Sequence, residues 1–272
     1  MAVLKMMSTM DVPAERATIL LYGDNGSGKT TFAATWPNPV FLVPAIAVNE
    51  LRALKDFDLP VIPFAGTKDL EEQVTALGKE ILGGRLRCST LVVDNLTAFQ
   101  LMVEEELKVT ANKDKLDFSE WGVFTTLFKR LMTQLRLLPC HVLWITHQTV
   151  RVNDDRRVGE LTLMGKSKTF IPNYADMIMQ MECVDLRAAG TKYRLRIKPH
   201  DIWTNIRIRT DRATSEAFPP YIENPSYDDL AALLGWASCE AIESGAVEAP
   251  QEPTAKPSQQ LKKQKEVTKA KR

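Results

Sequence analysis

Residues 23–30 form the feature that most constrains how this chain can fold. They read Gly23-Asp24-Asn25-Gly26-Ser27-Gly28-Lys29-Thr30 and match the pattern G-x-x-x-x-G-K-[ST]. The apolar run Ala17–Tyr22 comes directly before them, and the helical stretch Thr30–Thr35 follows and stops before Pro37. This order predicts a buried strand, a glycine-rich loop and a helix, with the backbone N–H groups of the loop curving around an anion.

The residue types of this loop are those that bind the phosphates of a nucleotide. Small residues let the backbone approach phosphate oxygens closely, and the helix beyond the loop directs its positive end at them. Lys29 is placed to reach the β- and γ-phosphates, and the hydroxyl of Thr30 is placed to ligate Mg²⁺. The sequence therefore predicts ATP and Mg²⁺ as ligands, with these candidates for binding the nucleotide: Gly23, Asp24, Asn25, Gly26, Ser27, Gly28, Lys29, Thr30 and Thr31.

Short apolar runs that suit strands recur along the rest of the chain. They are Val40–Val43, Val61–Phe64, Thr90–Val93, His141–Thr146, Asp176–Glu182 and Tyr193–Ile197. Helical patterns lie between or after them, at Leu70–Leu82, Trp121–Leu138 and Asp228–Ala237. Strands that alternate with helices predict an α/β fold, here a P-loop NTPase core with a mostly parallel central sheet flanked by helices.

Two of these strands end in polar residues that suit a nucleotide site. Leu91-Val92-Val93 runs into Asp94, and the strand His141–Thr146 runs into His147 and Gln148. Because ligands gather at the carboxyl ends of parallel strands, Asp94 is predicted to hold Mg²⁺ together with Thr30. His147 and Gln148 are predicted to sense the γ-phosphate or to orient water.

Simpler interpretations of these residues remain open. An aspartate at this point also suits the N-cap of the next helix, although Asn95 or Thr97 suits that position as well. A histidine at the end of a strand is often held by ordinary hydrogen bonds, and this applies to His147.

Hydrolysis also requires a residue that activates water. Asn95 follows Asp94 directly and cannot act as a base, because a carboxamide does not accept a proton at neutral pH. Glu50, after the second strand, is the best-placed carboxylate. Glu104, Glu105 and Glu106 form a charge run that favours a solvated helix face. Glu50 therefore joins Lys29, Asp94, His147 and Gln148 as a catalytic candidate.

Four segments together resemble the RecA-like ATPases, and more closely the phage-encoded AAA family ATPases related to the Sak4 single-strand annealing proteins. They are LLYGDNGSGKTTFAATWPNP, TLVVDNLTAF, the tryptophan-led helix before HVLWITHQ, and FPPYIENPSYDDLAALL. The resemblance spans Ala17–Leu234. It implies a RecA-type core, Mg²⁺-dependent ATP hydrolysis, binding of single-stranded DNA, and work beside a single-strand DNA-binding protein as a homo-oligomeric ring or filament.

The chain departs from this family at one position. RecA-like cores place a glutamate directly after the second strand, whereas this sequence continues with Pro44-Ala45-Ile46. Slow hydrolysis is therefore predicted unless Glu50 takes the place of that glutamate.

A polar segment after the fifth predicted strand, Arg151–Phe170, lies where RecA-like proteins carry a DNA-facing segment. Its predicted phosphate-binding residues are Arg151, Arg156, Arg157, Lys166 and Lys168. In a second interpretation, Lys166 or Lys168 reaches the γ-phosphate of a nucleotide in a neighbouring subunit. In a third, the segment is an exposed hairpin with ordinary surface charges. Phe170 and Tyr174 suit base stacking, but core packing is favoured.

Charge and composition set the predicted boundaries of the chain. The formal net charge is +1, but Gln251–Arg272 has seven basic and two acidic residues and no aromatic residue, which predicts disorder. We predict an extension at 1–16, an ATPase domain at 17–240 and a basic tail at 241–272. Four widely spaced cysteines without a CxxC pair, and no apolar run long enough for a bilayer, predict a cytoplasmic protein with reduced thiols and no membrane contact.

Three functions are compatible with these features. The first is a DNA-dependent ATPase of phage recombination, annealing or replication. The second is a nucleotide-gated assembly or partner-loading NTPase without direct DNA contact, which the low net charge and the missing glutamate favour. The third is a small-molecule or nucleotide kinase, and the absence of an arginine-rich lid after the glycine-rich loop argues against it.

Overall fold

The structure is a computed structural model that describes residues 16–153, 156–185, 190–200 and 202–246. The predicted extension before residue 16, and the tail from residue 247 onward, lie outside the described residues. The described part of the chain forms a ten-stranded sheet. Its strands are β1 (Thr18–Gly23), β2 (Pro39–Pro44), β3 (Val61–Phe64), β4 (Thr90–Val93), β5 (His141–Asn153), β6 (Arg156–Leu161), β7 (Met177–Asp185), β8 (Thr191–Arg196), β9 (Arg207–Ile208) and β10 (Tyr221–Glu223).

Helices connect and cover these strands. They are α1 (Lys29–Ala34), α2 (Thr67–Leu82), α3 (Leu96–Ala111), α4 (Phe118–Arg136), α5 (Ser167–Tyr174), α6 (Arg212–Ala217), α7 (Tyr227–Leu234) and α8 (Cys239–Glu243). The helical patterns in the sequence correspond to α2, α4 and α7, with ends shifted by a few residues. The last helix, α8, crosses the predicted boundary at residue 240, and its Ile242 packs against the core.

The order of strands in the sheet is β10-β8-β7-β1-β5-β4-β2-β3, with β6 paired to β5 and β9 to β7. Within the run β7-β1-β5-β4-β2-β3, each strand is parallel to the next. The pairs that involve β6, β8, β9 and β10 are antiparallel. The predicted fold class, an α/β P-loop NTPase core with a mostly parallel sheet, is therefore confirmed.

Alternating apolar residues along the parallel strands produce a buried core on each face of the sheet. In β1, Leu20 and Tyr22 point into one core, and Ile19 and Leu21 point into the other. The first core is covered mainly by α2, α3 and α4, and the second mainly by α1 and α7. This two-sided burial explains why the strands read as continuous apolar runs in the sequence.

Two regions differ from the sequence prediction. Strand β5 was predicted to end at Thr146, but it continues to Asn153 because it pairs with β6 as an antiparallel hairpin. Between β2 and β3 the chain forms an unpredicted 3₁₀ segment, Ala45–Phe57, which is held to the core by the buried side chains of Ala47 and Leu54. Only a few of its residues are apolar and buried, so its helical signal in the sequence is weak.

The position of β5 assembles the candidate site. Because β5 lies between β1 and β4, Gly23 is opposite His147 and Val93 is opposite Trp144. The pairing of β5 with β1 and β4 therefore brings the glycine-rich loop, Asp94 and His147 close together. All four cysteines are free thiols, and no helix within the described residues is long and apolar enough to cross a membrane.

Candidate functional site

The loop between β1 and α1 is shaped by glycines that no other residue would replace without strain. Gly26 and Gly28 have φ angles of 73° and 87°, in the left-handed region. A Cβ atom on Gly28 would lie 2.9 Å from Cδ1 of Tyr193, and one on Gly23 would lie 2.1 Å from the carbonyl oxygen of Met181. A side chain at Gly28 would collide with Tyr193, and one at Gly23 would collide with the backbone of β7, so the loop could not keep this path.

Lys29 is buried at the first position of α1, with its ammonium group held over the loop. Its Nζ donates to the carbonyl oxygens of Gly23, at 3.1 Å, and Asp24, at 2.7 Å, and to Oγ of Ser27, at 3.4 Å. Burial lowers the pKa of Lys29, and the charges of Asp94, Asp24 and Glu50 oppose that change. The hydrogen-bond partners of Nζ are neutral, so phosphate oxygens can take their place.

Asp94 and Thr30, the two residues predicted to hold Mg²⁺, lie in contact. Oγ1 of Thr30 donates to Oδ2 of Asp94 at 2.7 Å, and Asp94 lies buried at the end of β4. Burial raises the pKa of Asp94 to about 6, against the lowering effects of the Thr30 hydrogen bond and the Lys29 charge. A hydroxyl and a carboxylate are ligands that suit Mg²⁺, so these residues fit the cation expected beside a nucleotide.

These groups line a single cavity of about 550 Å³. Its walls include most of the predicted nucleotide-binding residues, from Asn25 to Thr31, together with Glu50, Ala53, Asp94, His147 and Tyr193. Gly23 and Asp24 lie behind this wall, where their carbonyl oxygens accept from Lys29. Residues far apart in the chain therefore converge on the glycine-rich loop.

Glu50 reaches the cavity because the 3₁₀ segment after β2 returns the chain toward Asp94. Nδ2 of Asn95 donates to Oε2 of Glu50 at 2.8 Å. Oδ1 of Asn95 accepts from the backbone N–H of Ala98 at 2.8 Å and so caps α3. Asn95 therefore takes the N-cap that sequence reasoning left open, and it orients Glu50. The hydrogen bond between Asn95 and Glu50 was not predicted, because it depends on the return of the 3₁₀ segment toward Asp94.

The two residues predicted as a sensor pair are in different surroundings. His147 lines the cavity beside Gly23, and burial together with the Lys29 charge lowers its pKa, which leaves it neutral near pH 7. Its Nδ1 is buried and forms no hydrogen bond within the described residues. Gln148 points to the other face of β5, where its Oε1 accepts from Nε2 of Gln180 at 3.0 Å, so it is not part of the cavity wall.

The five residues predicted to bind DNA lie on the β5–β6 hairpin and at the start of α5. Arg151 and Lys168 both pair with Glu160, at 3.1 and 3.0 Å, whereas the side chains of Arg157 and Lys166 are exposed. Arg156 is the first residue of β6. Phe170 packs against Phe128 of the core, which is the core packing favoured from the sequence, and Tyr174 lies beside Phe170.

Comparison with known proteins agrees with this geometry. A family model described as AAA domain matches residues 15–205, which is most of the chain and includes the glycine-rich loop, Asp94 and His147. The chain belongs to the AAA domain family. It is thus an AAA-type P-loop protein of a family of nucleotide-binding ATPases. No curated protein matches the chain.

The buried carboxylate of this AAA domain leads to a prediction about stability. The pKa of Asp94 in the folded state, about 6, lies above its ordinary value, so the folded state binds the proton more tightly. The resulting cost to folding is absent near pH 4 and is fully present above pH 6. We expect Asp94→Asn to raise the free energy of unfolding at pH 8 by up to about 3 kcal/mol, with no gain at pH 4.

Urea unfolding of the metal-free, nucleotide-free protein at both pH values measures this effect. Asp114→Asn is the matched control, because Asp114 is exposed and the change in charge is the same. An equal pH dependence of the two variants would contradict the prediction. The Asp94 variant should also lose the Mg²⁺ dependence of nucleotide binding, since a carboxamide is a weaker ligand for this cation.

Proposed function

We propose that this protein is an Mg²⁺-dependent ATPase that acts on single-stranded DNA in phage recombination, annealing or replication, as its resemblance to Sak4-related proteins implies. The observation that carries the proposal is that one strand connects the nucleotide cavity to the segment predicted to bind DNA. The strand that places His147 in the nucleotide cavity continues directly into the β5–β6 hairpin, which carries Arg151, Arg156 and Arg157. Binding or hydrolysis of the nucleotide beside His147 can therefore affect the hairpin directly through β5.

Hydrogen bonds at the base of the hairpin connect it to the strand and the helix next to the nucleotide cavity. The backbone N–H of Thr162 donates to the carbonyl oxygen of His147 at 2.9 Å. Oγ1 of Thr97 donates to the carbonyl oxygen of Thr162 at 3.0 Å and lies 3.2 Å from Oγ1 of Thr146. Thr97 stands in the first turn of α3, directly after Asp94 and Asn95. The hairpin is thus held by the same elements that line the nucleotide cavity.

The residues of the cavity suit hydrolysis. When bound, ATP with Mg²⁺ supplies the phosphoryl group and the cation that neutralises its developing charge. Lys29 binds phosphate oxygens, and Thr30 with Asp94 would hold the metal. Oε2 of Glu50 accepts from Asn95, so Oε1 is the atom that would take a proton from the attacking water. Neutral His147 orients the ligand or the water.

Two of the five proposed DNA contacts already share an ion pair with one carboxylate of the protein, which supports a second candidate function. Glu160 pairs with both Arg151 and Lys168, and the net charge of the whole chain is only +1. A nucleotide-gated assembly or partner-loading NTPase without DNA contact needs no strong positive surface. We propose the DNA function first because Arg157 on the hairpin and Lys166 at the start of α5 remain exposed.

The proposed partners follow from the DNA function. We propose that the protein forms a homo-oligomeric ring or filament on single-stranded DNA, next to a single-strand DNA-binding protein, in the cytoplasm of the host cell. The basic tail Gln251–Arg272, which lies outside the described residues, would add diffuse positive charge.

Single-stranded DNA binding should depend on nucleotide through the hairpin. We expect the double variant Arg157→Ala, Lys166→Ala to remove the difference in DNA affinity between the ATP-bound and nucleotide-free protein. Deleting residues 251–272 should weaken binding to all sequences and lower the slope against log salt by roughly 0.7 for each lost phosphate contact, but leave that difference intact. Fluorescence anisotropy with labelled oligonucleotides across a salt series measures both effects.

Lys68→Ala is a suitable control for the hairpin variant, because Lys68 is an exposed lysine on α2. The reverse pattern, in which only the tail deletion removes the nucleotide dependence, would place the regulated DNA contact in the tail. If the intact protein binds no DNA at low salt, the partner-loading function is favoured instead.

A further inference from the structure

A second cavity, of about 300 Å³, opens beside the nucleotide cavity. The two cavities share Gly28, Thr31 and Tyr193, so they adjoin at the glycine-rich loop. The other walls of the second cavity are Phe32, Thr35, Met181, Asn224 and Pro225. We call this space the Tyr193 cleft. Neither Asp94 nor Glu50 lines it.

The chemistry of the Tyr193 cleft differs from that of the phosphate site. None of the residues that line it carries a charge. Phe32 and Met181 are almost fully buried and form an apolar floor, and Thr31 and Asn224 are polar groups at the rim. An uncharged cleft with an apolar floor and a few polar groups suits a flat heterocycle better than a second anion.

The ring of Tyr193 is held at the junction of the two cavities. Tyr193 lies in β8, and its ring contacts the backbone of Gly28, since a Cβ atom there would come within 2.9 Å of Cδ1. The side chain is nevertheless 37% exposed, so one part of the ring remains available to a ligand. No sequence signal marked this residue, because it is brought to the loop only by the pairing of β8 with β7.

Asn224 offers a single kind of hydrogen-bonding group to the cleft. Its Oδ1 accepts from the backbone N–H of Tyr193 at 3.1 Å, and its own backbone N–H donates to the carbonyl oxygen of Tyr193 at 2.7 Å. The first contact identifies which side-chain atom is oxygen, so the remaining group, Nδ2, is a donor. Asn224 is exposed and has a left-handed φ of 44°.

We propose that the Tyr193 cleft binds the purine base of the nucleotide, with the base stacked on Tyr193 and an acceptor on its edge bonded to Nδ2 of Asn224. This inference rests on the assignment of the neighbouring cavity to the phosphates. Adenine and guanine both present ring-nitrogen acceptors, and a single donor does not distinguish them. The cleft therefore accepts ATP and GTP with similar affinity, and stacking on Tyr193 supplies most of the contribution of the base.

The test compares Mg²⁺–ATP, Mg²⁺–GTP and inorganic tripolyphosphate, which has no base, by isothermal titration calorimetry on the full chain. Tyr193→Ala should weaken binding of both nucleotides by about 10-fold or more, from the known strength of base stacking on aromatic rings, and leave tripolyphosphate unchanged. Tyr193→Phe should retain the affinity, because the ring remains. Tyr221→Ala is the matched control, since Tyr221 lies on the neighbouring strand β10 outside the cleft.

Asn224 is tested by Asn224→Gly, which removes the carboxamide and tolerates the left-handed backbone. This variant should lower the affinity for ATP and the affinity for GTP by the same factor, and it should leave the affinity for tripolyphosphate unchanged. Equal weakening of nucleotide and tripolyphosphate by Tyr193→Ala would overturn the proposal, because Tyr193 would then act on the phosphate loop through Gly28. A preference of the intact protein for one purine above about 10-fold would overturn the single-donor recognition.

These outcomes separate the cleft from the rest of the proposed function. If the intact protein binds tripolyphosphate but Tyr193→Ala does not change ATP affinity, the cleft is not the base site, although the phosphate site stands. If the intact protein binds neither ATP nor tripolyphosphate, the assignment of the phosphate site is wrong, and the assignment of the cleft to the base fails as well. Absence of DNA binding affects neither conclusion.

Discussion

Replacing Lys29 with alanine should lower the affinity for Mg²⁺–ATP at least about 100-fold, since the ammonium group would contribute more than one charged hydrogen bond to the phosphates. The fold should persist. Burial lowers the pKa of Lys29, so the cost of burying its charge offsets part of what its hydrogen bonds contribute, and we expect the variant to remain folded. Calorimetric titration with ATP, together with thermal unfolding followed by circular dichroism, measures both effects.

The matched control for this variant is Lys68→Ala, which removes the same charge from an exposed position on α2. It should bind ATP like the unchanged protein. A folded Lys29→Ala protein with unchanged ATP affinity would contradict the assignment of the loop to phosphate binding, and all conclusions about the cavity would then have to be revised.

Glu50→Gln should lower the rate of ATP turnover about 100-fold, the lower range of what a general base contributes. Glutamine keeps the shape of the side chain and still accepts a hydrogen bond from Asn95, but it cannot take a proton from water. Binding of ATP should therefore change little. The unchanged protein should itself be slow without partners, because Glu50 is exposed and is carried by the 3₁₀ segment rather than by the end of β2.

Glu105→Gln is the control, since Glu105 is exposed on α3 and pairs with Lys108. A steady-state assay of phosphate release, with ATP affinity measured in parallel, separates turnover from binding. Equal rates for the two variants would show that Glu50 is not the base. In that case the hydrolytic carboxylate would have to come from outside the cavity described here, such as from a neighbouring subunit.

The glutamates of α3 show why a charge run alone is a weak guide. Glu104, Glu105 and Glu106 were predicted as one solvated helix face, and Glu104 and Glu105 do pair with Lys108 of the same helix. Glu106 is different, because it accepts from both the backbone N–H and the hydroxyl of Thr67 and so ties α3 to the start of α2. That contact depends on how two helices pack, which the local sequence does not contain.

The sequence by itself determined the features that arise within one contiguous stretch. The glycine-rich loop is such a feature, because its strand, its left-handed glycines, Lys29 and Thr30 all lie between residues 17 and 35. The α/β fold class also followed, since short apolar strands that alternate with helices leave few arrangements of a parallel sheet. Asp94 and His147 were found because each directly follows a short apolar run in the sequence.

Only the tertiary structure decided which distant residues complete the cavity. The order of strands sets β5 between β1 and β4 and places β8 beside β7, and this brings His147 and Tyr193 to the same loop. The 3₁₀ segment returns Glu50 to Asn95, and the side-chain alternation of β5 turns Gln148 away from His147. These relations come from sheet pairing and packing between segments far apart in the chain, so no local pattern of residues records them.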